Sequence, residues 1–287
     1  MKIGLCLSGG GIKGAAHIGV IKALEEENIK IDCISGTSSG SIVASMYAMG
    51  YTSNEMFKLF KSYAKEISKI NWFQILKLIF GLLFKREILI DGLNKGDRLA
   101  EIINAQAKKK NIKLISDIDM PLVIPSVSLC DGSIYLISSI KNNRAYSDEV
   151  NLINNIEIGK AVQASCAYPG IFCPVNINNK KMIDGGIREN TPWKELKDIG
   201  SEKIISIVFE EQKKPKNKVN ILDCITGSIG IMMHELYNYE VKGIDYLLKV
   251  KSKDVGLLEV DKTQELYNLG YETAKKEMNK IKEYLQR

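Results

Sequence analysis

Residues 8–20 read "SGGGIKGAAHIGV". They follow a short apolar run, Ile3 to Leu7, and carry three consecutive glycines with a fourth at Gly14. Glycine loses more conformational freedom on folding than any other residue. A cluster of them marks a place where another group approaches the main chain closely, or where backbone N–H groups must point outward. Beyond the glycines, Ile18, Ile21, Ala23 and Leu24 recur at helical spacing, with Glu25 to Glu27 on the wet side. The stretch reads as strand, glycine turn, helix.

The same unit follows at once. "IDCIS" (31–35) is a second short apolar run, leading into "GTSSGSIVASMYAMG" (36–50), whose second half is helical and closes at Gly50. Two such units in succession predict an α/β fold with a parallel sheet and right-handed crossovers. Further along, residues 52–111 read as helical. "MPLVIPSVSL" (120–129) and "SIYLISSI" (133–140) read as a hairpin around Asp131-Gly132. "IGKAVQASCAYPG" (158–170) is helical up to Pro169, "KMIDGG" (181–186) is strand then turn, and "KIISIVF" (203–209) is a buried strand. "EEQKKPKNK" (210–218) reads as an exposed loop; from Ile221 the pattern is helical to about Leu248, and a basic amphipathic helix runs from about Thr263. The expected organisation is one α/β domain. Residues 1–210 form its main part with a helical insertion at about 52–111, and 211–287 form a C-terminal helical part packed on it.

Composition narrows the function classes. The chain has 287 residues, 45% hydrophobic and 26% charged, ordinary values for a soluble globular protein. A net charge of +6 suits an anionic partner, but no Lys/Arg run is interleaved with aromatics, so no nucleic-acid partner is expected. Six cysteines without a C-x-x-C pair imply reduced thiols. No secretory signal or membrane-spanning run is seen, and a cytoplasmic location is expected. Two scattered histidines offer no zinc site, and "DGLNKGD" (91–97) has Leu93 at the third position, where a calcium loop needs an oxygen ligand. No metal or other cofactor is expected.

Gly9-x-Gly11-x-x-Gly14 satisfies the dinucleotide spacing, but the acidic residue that should follow the second strand is missing, since Asp32 precedes it. A dinucleotide-binding module using residues 9–14 stays as a remote alternative. A P-loop is excluded by spacing. Gly36-x-Ser38-x-Gly40 has the nucleophile-elbow pattern, in which a serine on a sharp strand-to-helix turn needs glycines two residues before and after it. In a parallel sheet both turns emerge at the same carboxyl edge, so N–H groups of Gly9, Gly10 and Gly11 can face the oxyanion that forms when Ser38 attacks a carbonyl. The plain alternative is a tight turn with glycines for packing.

A serine needs a base. His17 reads as a structural residue of the first helix. His234 lies inside a long helical pattern, although the order Ser38, Asp184, His234 matches that of a hydrolase triad. Asp184, followed by Gly185-Gly186, reads as a strand end at the carboxyl edge, where burial would raise its proton affinity.

Together "GGGIKG" (9–14), "GTSSG" (36–40) and "DGG" (184–186), in this order, resemble the patatin-like phospholipases. "ASCAYPGIFCPV" (164–175) and Asn190-x-Pro192 add to the likeness, which covers about residues 1–210. One departure is Lys13, where many members have arginine; lysine keeps the charge and loses the bidentate geometry, and it also reads as a solvated helix-start residue. The resemblance implies a three-layer α/β fold and an acyl hydrolase of phospholipids or lysophospholipids. It implies Ser38 as nucleophile, Asp184 as base without histidine, Gly9 to Gly11 as oxyanion loop, and Lys13, Gly14, Gly36, Gly40, Gly185 and Gly186 as supporting positions. A soluble carboxylesterase or acyltransferase is the nearest alternative, and a lipid-binding scaffold without turnover another. "INWFQILKLIFGLLFKR" (70–86) is apolar almost all round and reads as an interfacial segment for peripheral membrane contact, a lid, or a core helix.

Overall fold

The computed structural model describes residues 1–67, 91–141, 151–211, 221–252, 255–256 and 259–287. The apolar stretch 70–86 and most of the charged loop after Glu211 lie outside the described residues. Along the chain run β1 (Ile3–Leu7), α1 (Gly14–Glu26), β2 (Cys33–Gly36), α2 (Ser39–Ala48) and α3 (Ser53–Ile67). Next come α4 (Asp97–Lys109), β3 (Leu122–Ser128), β4 (Ile134–Ser138), β5 (Asn151–Ile153) and α5 (Ile158–Ser165). The remainder holds β6 (Val175–Ile177), β7 (Lys180–Asp184), α6 (Lys194–Asp198), β8 (Lys203–Glu211), α7 (Ile221–Glu240), β9 (Tyr246–Ser252) and α8 (Thr263–Gln286).

The nine described strands form one mostly parallel sheet in the order β5-β4-β3-β2-β1-β8-β9, with β7 against β3 and β6 against β7. β1 pairs in parallel with both β2 and β8, so it sits at the centre, buried on both faces. That explains its unbroken apolar run, since successive side chains point to opposite faces. Leu5, Leu7, Ile34, Ile205 and Ile207 enter the main core beneath α1, α2 and α8. Cys6, Cys33 and Ile204 enter a smaller cluster with Trp193 and Leu196 of the α6 region on the other face. The result is a three-layer α/β fold. All six cysteines are free.

α8 lies over α1 at close range. A methyl group on Gly19 would collide with the carbonyl of Tyr267, and one on Gly270 with that of Ala16, so the crossing requires both glycines. Along the same seam Lys275 and Lys282 donate to Glu27 at 2.9 and 2.6 Å, and Tyr271 donates to Glu26 at 2.9 Å. The two lysines hold the Glu27 carboxyl down at about 2.

Two local expectations need correction. The helical pattern from Ile221 does not reach Leu248: residues 246–252 form β9, parallel to β8, with Leu248, Val250 and Ser252 buried and Lys249 and Lys251 exposed. Alternation of period two is a strand signal, and here it lay behind a long helical run. Nor are residues 52–111 wholly helical. Residues 91–96 run irregularly, where Leu93 and Asn94 donate to the Ile171 carbonyl and Asn94 bridges to Phe172.

Candidate active site

Ser38 stands between β2 and α2 with φ 53° and ψ −124°, a backbone conformation costly for a residue with a Cβ. Contacts on every side hold it there. Its carbonyl accepts the Ser41 hydroxyl at 2.6 Å, and its N–H donates to Ser165 Oγ at 3.0 Å. Gly36 and Gly40 leave no room for a side chain, because a methyl on either would meet the Gly40 or the Leu7 carbonyl respectively. The steric demand read from the elbow pattern is thus present in the packing. Ser38 is half-buried at the N-terminus of α2.

Asp184 reaches this point from the opposite direction. β2 pairs with β3 only at Ile34↔Leu122 and Ser35↔Val123. β7 runs antiparallel to β3 along the same edge, through Ser128↔Met182, Val127↔Ile183 and Ser126↔Asp184. The C-terminal ends of β2 and β7 therefore point toward each other, with Ile124 and Pro125 of β3 between them. Asp184 ends its strand beside the carboxyl edge, as expected, but that strand is antiparallel to β3. It stands beyond the carboxyl end of β2 because its own strand is reversed.

Asp184 is 1% exposed. Its Oδ1 accepts the Gly186 N–H at 2.8 Å, while Oδ2 has no hydrogen-bonding partner among the described residues. Burial raises its pKa to about 7, opposed by the nearby Ser38 hydroxyl and by the Gly186 N–H. The Ser38 hydroxyl thus favours the carboxylate by proximity without a formed hydrogen bond. An unpartnered buried oxygen beside a serine can take up that serine's proton near neutral pH.

The glycine loop is tied to the same region. The Gly9 N–H donates to Asn190 Oδ1 at 3.1 Å and to the Asn190 carbonyl at 3.3 Å. Gly9 is therefore committed, contrary to the expectation that all three glycines offer donors. The N–H groups of Gly10 and Gly11 meet no acceptor among the described residues. Gly11 has φ +59°, and Gly10 has no space for a Cβ against the Phe209 ring. Packing and presentation of N–H groups both account for the cluster.

Lys13 is not a solvated helix-start residue. It is 2% exposed, with Nζ 5.9 Å from the Phe209 ring centroid. His17 is fully buried beneath the loop and donates from Nε2 to the Ser8 carbonyl at 2.8 Å; burial lowers its pKa to about 4, so it stays neutral. His234 is exposed on α7 with its ring stacked 6.1 Å from that of Tyr237, and none of its described contacts involves Ser38 or Asp184. Among the described residues no group of three or more His, Cys, Asp or Glu could hold a metal ion. No described helix is long and apolar enough to cross a membrane.

Asn190, Ser165, Ser41 and Cys166 have no role in the sequence reading, although the first, second and fourth lie in stretches that carried the resemblance. Asn190 is itself anchored: Glu240, at the end of α7, accepts the Asn190 and Thr191 N–H groups at 2.8 and 3.1 Å. Cys166 is buried, and burial with the Asp184 charge pushes its thiol up. Only a weak signal pointed to these residues, namely small polar side chains in otherwise apolar surroundings.

A profile described as patatin-like phospholipase matches residues 5–197. A lysophospholipase NTE1 of Meyerozyma guilliermondii is 26% identical over 205 residues, 71% of this chain and 12% of that protein. The NTE1 of Saccharomyces cerevisiae is 28% identical over 206 residues, 71% of this chain and 10% of that protein. This chain thus spans about an eighth or less of those relatives' length. The uncharacterized protein YqhO of Bacillus subtilis is 26% identical over 222 residues, 75% of this chain and 73% of its own length. The crystal structure of VipD from Legionella pneumophila superposes with a TM-score of 0.54 at 15% identity, covering 97% of this chain and 67% of that one; the likeness is one of fold. The glycine loop, the elbow and the reversed aspartate strand all fall within the matched span, and the chain belongs to the patatin-like phospholipase family.

Proposed function

We propose that this chain is a lipid acyl hydrolase that cleaves carboxylic esters of phospholipids or lysophospholipids through a Ser38 acyl-enzyme, with Asp184 as the only base. The observation that carries the reading is the buried, half-satisfied Asp184 carboxyl beside a strained serine. Family membership and the lysophospholipase relatives support the substrate class.

The chemistry divides into two halves. Asp184 Oδ2 takes the Ser38 hydroxyl proton as Oγ bonds to the ester carbonyl carbon. The carbonyl oxygen becomes an oxyanion facing the N–H groups of Gly10 and Gly11, and the N-terminus of α2 adds a favourable dipole. Collapse expels the alcohol, which takes the proton back from Asp184. In the second half Asp184 removes a proton from water, hydroxide adds to the acyl carbon, and the fatty acid leaves as Ser38 is reprotonated. One carboxyl with a pKa near neutrality can serve both halves, because in each it begins ionised, holds the proton at the tetrahedral intermediate and returns it as the intermediate collapses.

The test is fatty-acid release from mixed phospholipid and lysophospholipid vesicles with a chelator present. Release is expected from the natural protein, none from Ser38→Ala or Asp184→Asn, and full release from His234→Ala. No release by the natural protein, together with turnover of a small water-soluble ester, would replace the phospholipase with a soluble esterase.

A further inference from the structure

Three residues at the end of α5 touch both halves of the candidate dyad. Ser165 Oγ accepts the Ser38 backbone N–H at 3.0 Å. Two residues on, the Ala167 carbonyl accepts the Asp184 backbone N–H at 3.0 Å. Between them the buried Cys166 places Sγ 3.9 Å from Ser41 Oγ, the same hydroxyl that donates to the Ser38 carbonyl.

The sheet alone does not position the nucleophile. β3 holds Ser35 through Val123 and Asp184 through Ser126, and β1 carries β2 on through Leu7↔Gly36 and the Thr37 N–H to the Leu7 carbonyl at 3.1 Å, but no strand pairs Ser38 itself. Ser38 lies three residues past the last β2–β3 pair, in a conformation its own backbone disfavours. The Ser165 hydroxyl bonds that residue directly to the segment whose Ala167 carbonyl also holds the Asp184 N–H. Both anchoring bonds end on main-chain N–H groups of the dyad residues and leave their reacting side-chain oxygens unengaged. Ser165 and Ala167 are fully buried, so solvent offers no replacement partner.

We propose that Ser165 is a positioning residue, and that Ser165–Ala167 acts as a spacer that holds the Ser38 hydroxyl against Asp184. The inference rests on the Ser–Asp reading above. A displacement of about 1 Å between reacting groups can cost on the order of 100-fold in rate, which is the scale at stake. The spacer also affects the base: the Ser38 hydroxyl opposes the burial-driven rise of Asp184, so a displaced serine leaves Asp184 harder to ionise. The other groups near that carboxyl are the Gly186 N–H, the Cys166 thiol and the Tyr168 hydroxyl.

The test compares the full-length natural protein with Ser165→Ala, Ser165→Thr and Ser165→Cys. It measures p-nitrophenyl butyrate turnover, the rate of Ser38 labelling by a fluorophosphonate, and melting temperature. Ser165→Ala is expected to lower kcat by about 100-fold with KM within about twofold, to slow labelling in parallel, and to move the acid limb of kcat/KM to higher pH. Ser165→Thr, which keeps the hydroxyl, is expected to recover at least about tenfold of the loss. Ser165→Cys keeps the volume with a weaker acceptor, and it carries the comparison should the alanine variant not fold. Natural kcat, labelling rate and acid limb in folded Ala and Cys variants would overturn the proposal. So would equal losses in all three variants that follow melting temperature alone. Ser38→Ala separates the two claims. If it keeps natural turnover, the dyad fails and the spacer with it; if it is silent while Ser165→Ala is unimpaired, only the spacer fails.

Discussion

Gly9 donates its backbone N–H to both oxygens of Asn190, at 3.1 Å to the side chain and 3.3 Å to the carbonyl. That double bond of contacts ties the glycine loop after β1 to the turn that follows Asp184, although 181 residues separate the two in sequence. The turn is held in its own place by Glu240, whose carboxylate accepts two successive N–H groups. The unengaged donors of Gly10 and Gly11 inherit their direction from this arrangement.

Asn190→Ala should therefore lower kcat by about 10- to 100-fold, since one misdirected oxyanion donor typically costs 100- to 1,000-fold and here the effect is indirect. Initial rates on lysophospholipid micelles measure it. A change in KM alone would place Asn190 in substrate binding instead.

Activity should depend on one ionisation near neutrality. Asp184 works as a base only when ionised, and burial raises its pKa to about 7. The kcat/KM profile is expected to rise with pH through about 7 and then level, with no histidine needed. The same profile in His234→Ala checks the assignment, because His234 is exposed and stacked on Tyr237.

The same burial works against stability. In the unfolded chain an aspartate ionises near 3.9, so between about pH 4 and 7 the folded state holds a proton that the unfolded state has lost. The folded state is favoured while Asp184 stays protonated, and that advantage declines as pH rises through this window to a full penalty above about 7. Asp184→Asn should stabilise the fold at pH 8 by up to about 4 kcal/mol, seen as a higher melting temperature, and change stability little at pH 4. Calorimetry at the two pH values reads the difference, with fatty-acid release abolished at both.

Gly19→Ala should destabilise the fold by about 1–3 kcal/mol, because the added methyl meets the Tyr267 carbonyl and α1 and α8 must separate to admit it. Denaturant unfolding measures the loss. A smaller deficit at Gly50, where a methyl meets nothing within 4 Å, controls for glycine replacement as such, although its φ of +77° adds strain of its own.

Much of the candidate site was legible because it is local. Strand, turn and helix alternate visibly at residues 3–26 and 33–48, and the elbow glycines at Gly36 and Gly40 reflect clashes within a few residues of Ser38. β9 was not legible, because seven residues alternating Leu248, Lys249, Val250 and Lys251 followed twenty residues of helix. Nor was the burial of Lys13, since a lysine at a helix start reads as solvated until Phe209 is seen to cover it.

Sequence alone determined the class of fold and the identities of the nucleophile and base candidates, because strand periodicity and turn sterics act between near neighbours in the chain. The tertiary structure alone decided how those candidates meet. The reversal of β7 along β3, the commitment of Gly9 to Asn190, and the bonds from Ser165 and Ala167 to Ser38 and Asp184 all join residues far apart in sequence. So did the raised pKa of Asp184, because burial is a property of everything packed around a carboxyl and not of the residues beside it in the chain.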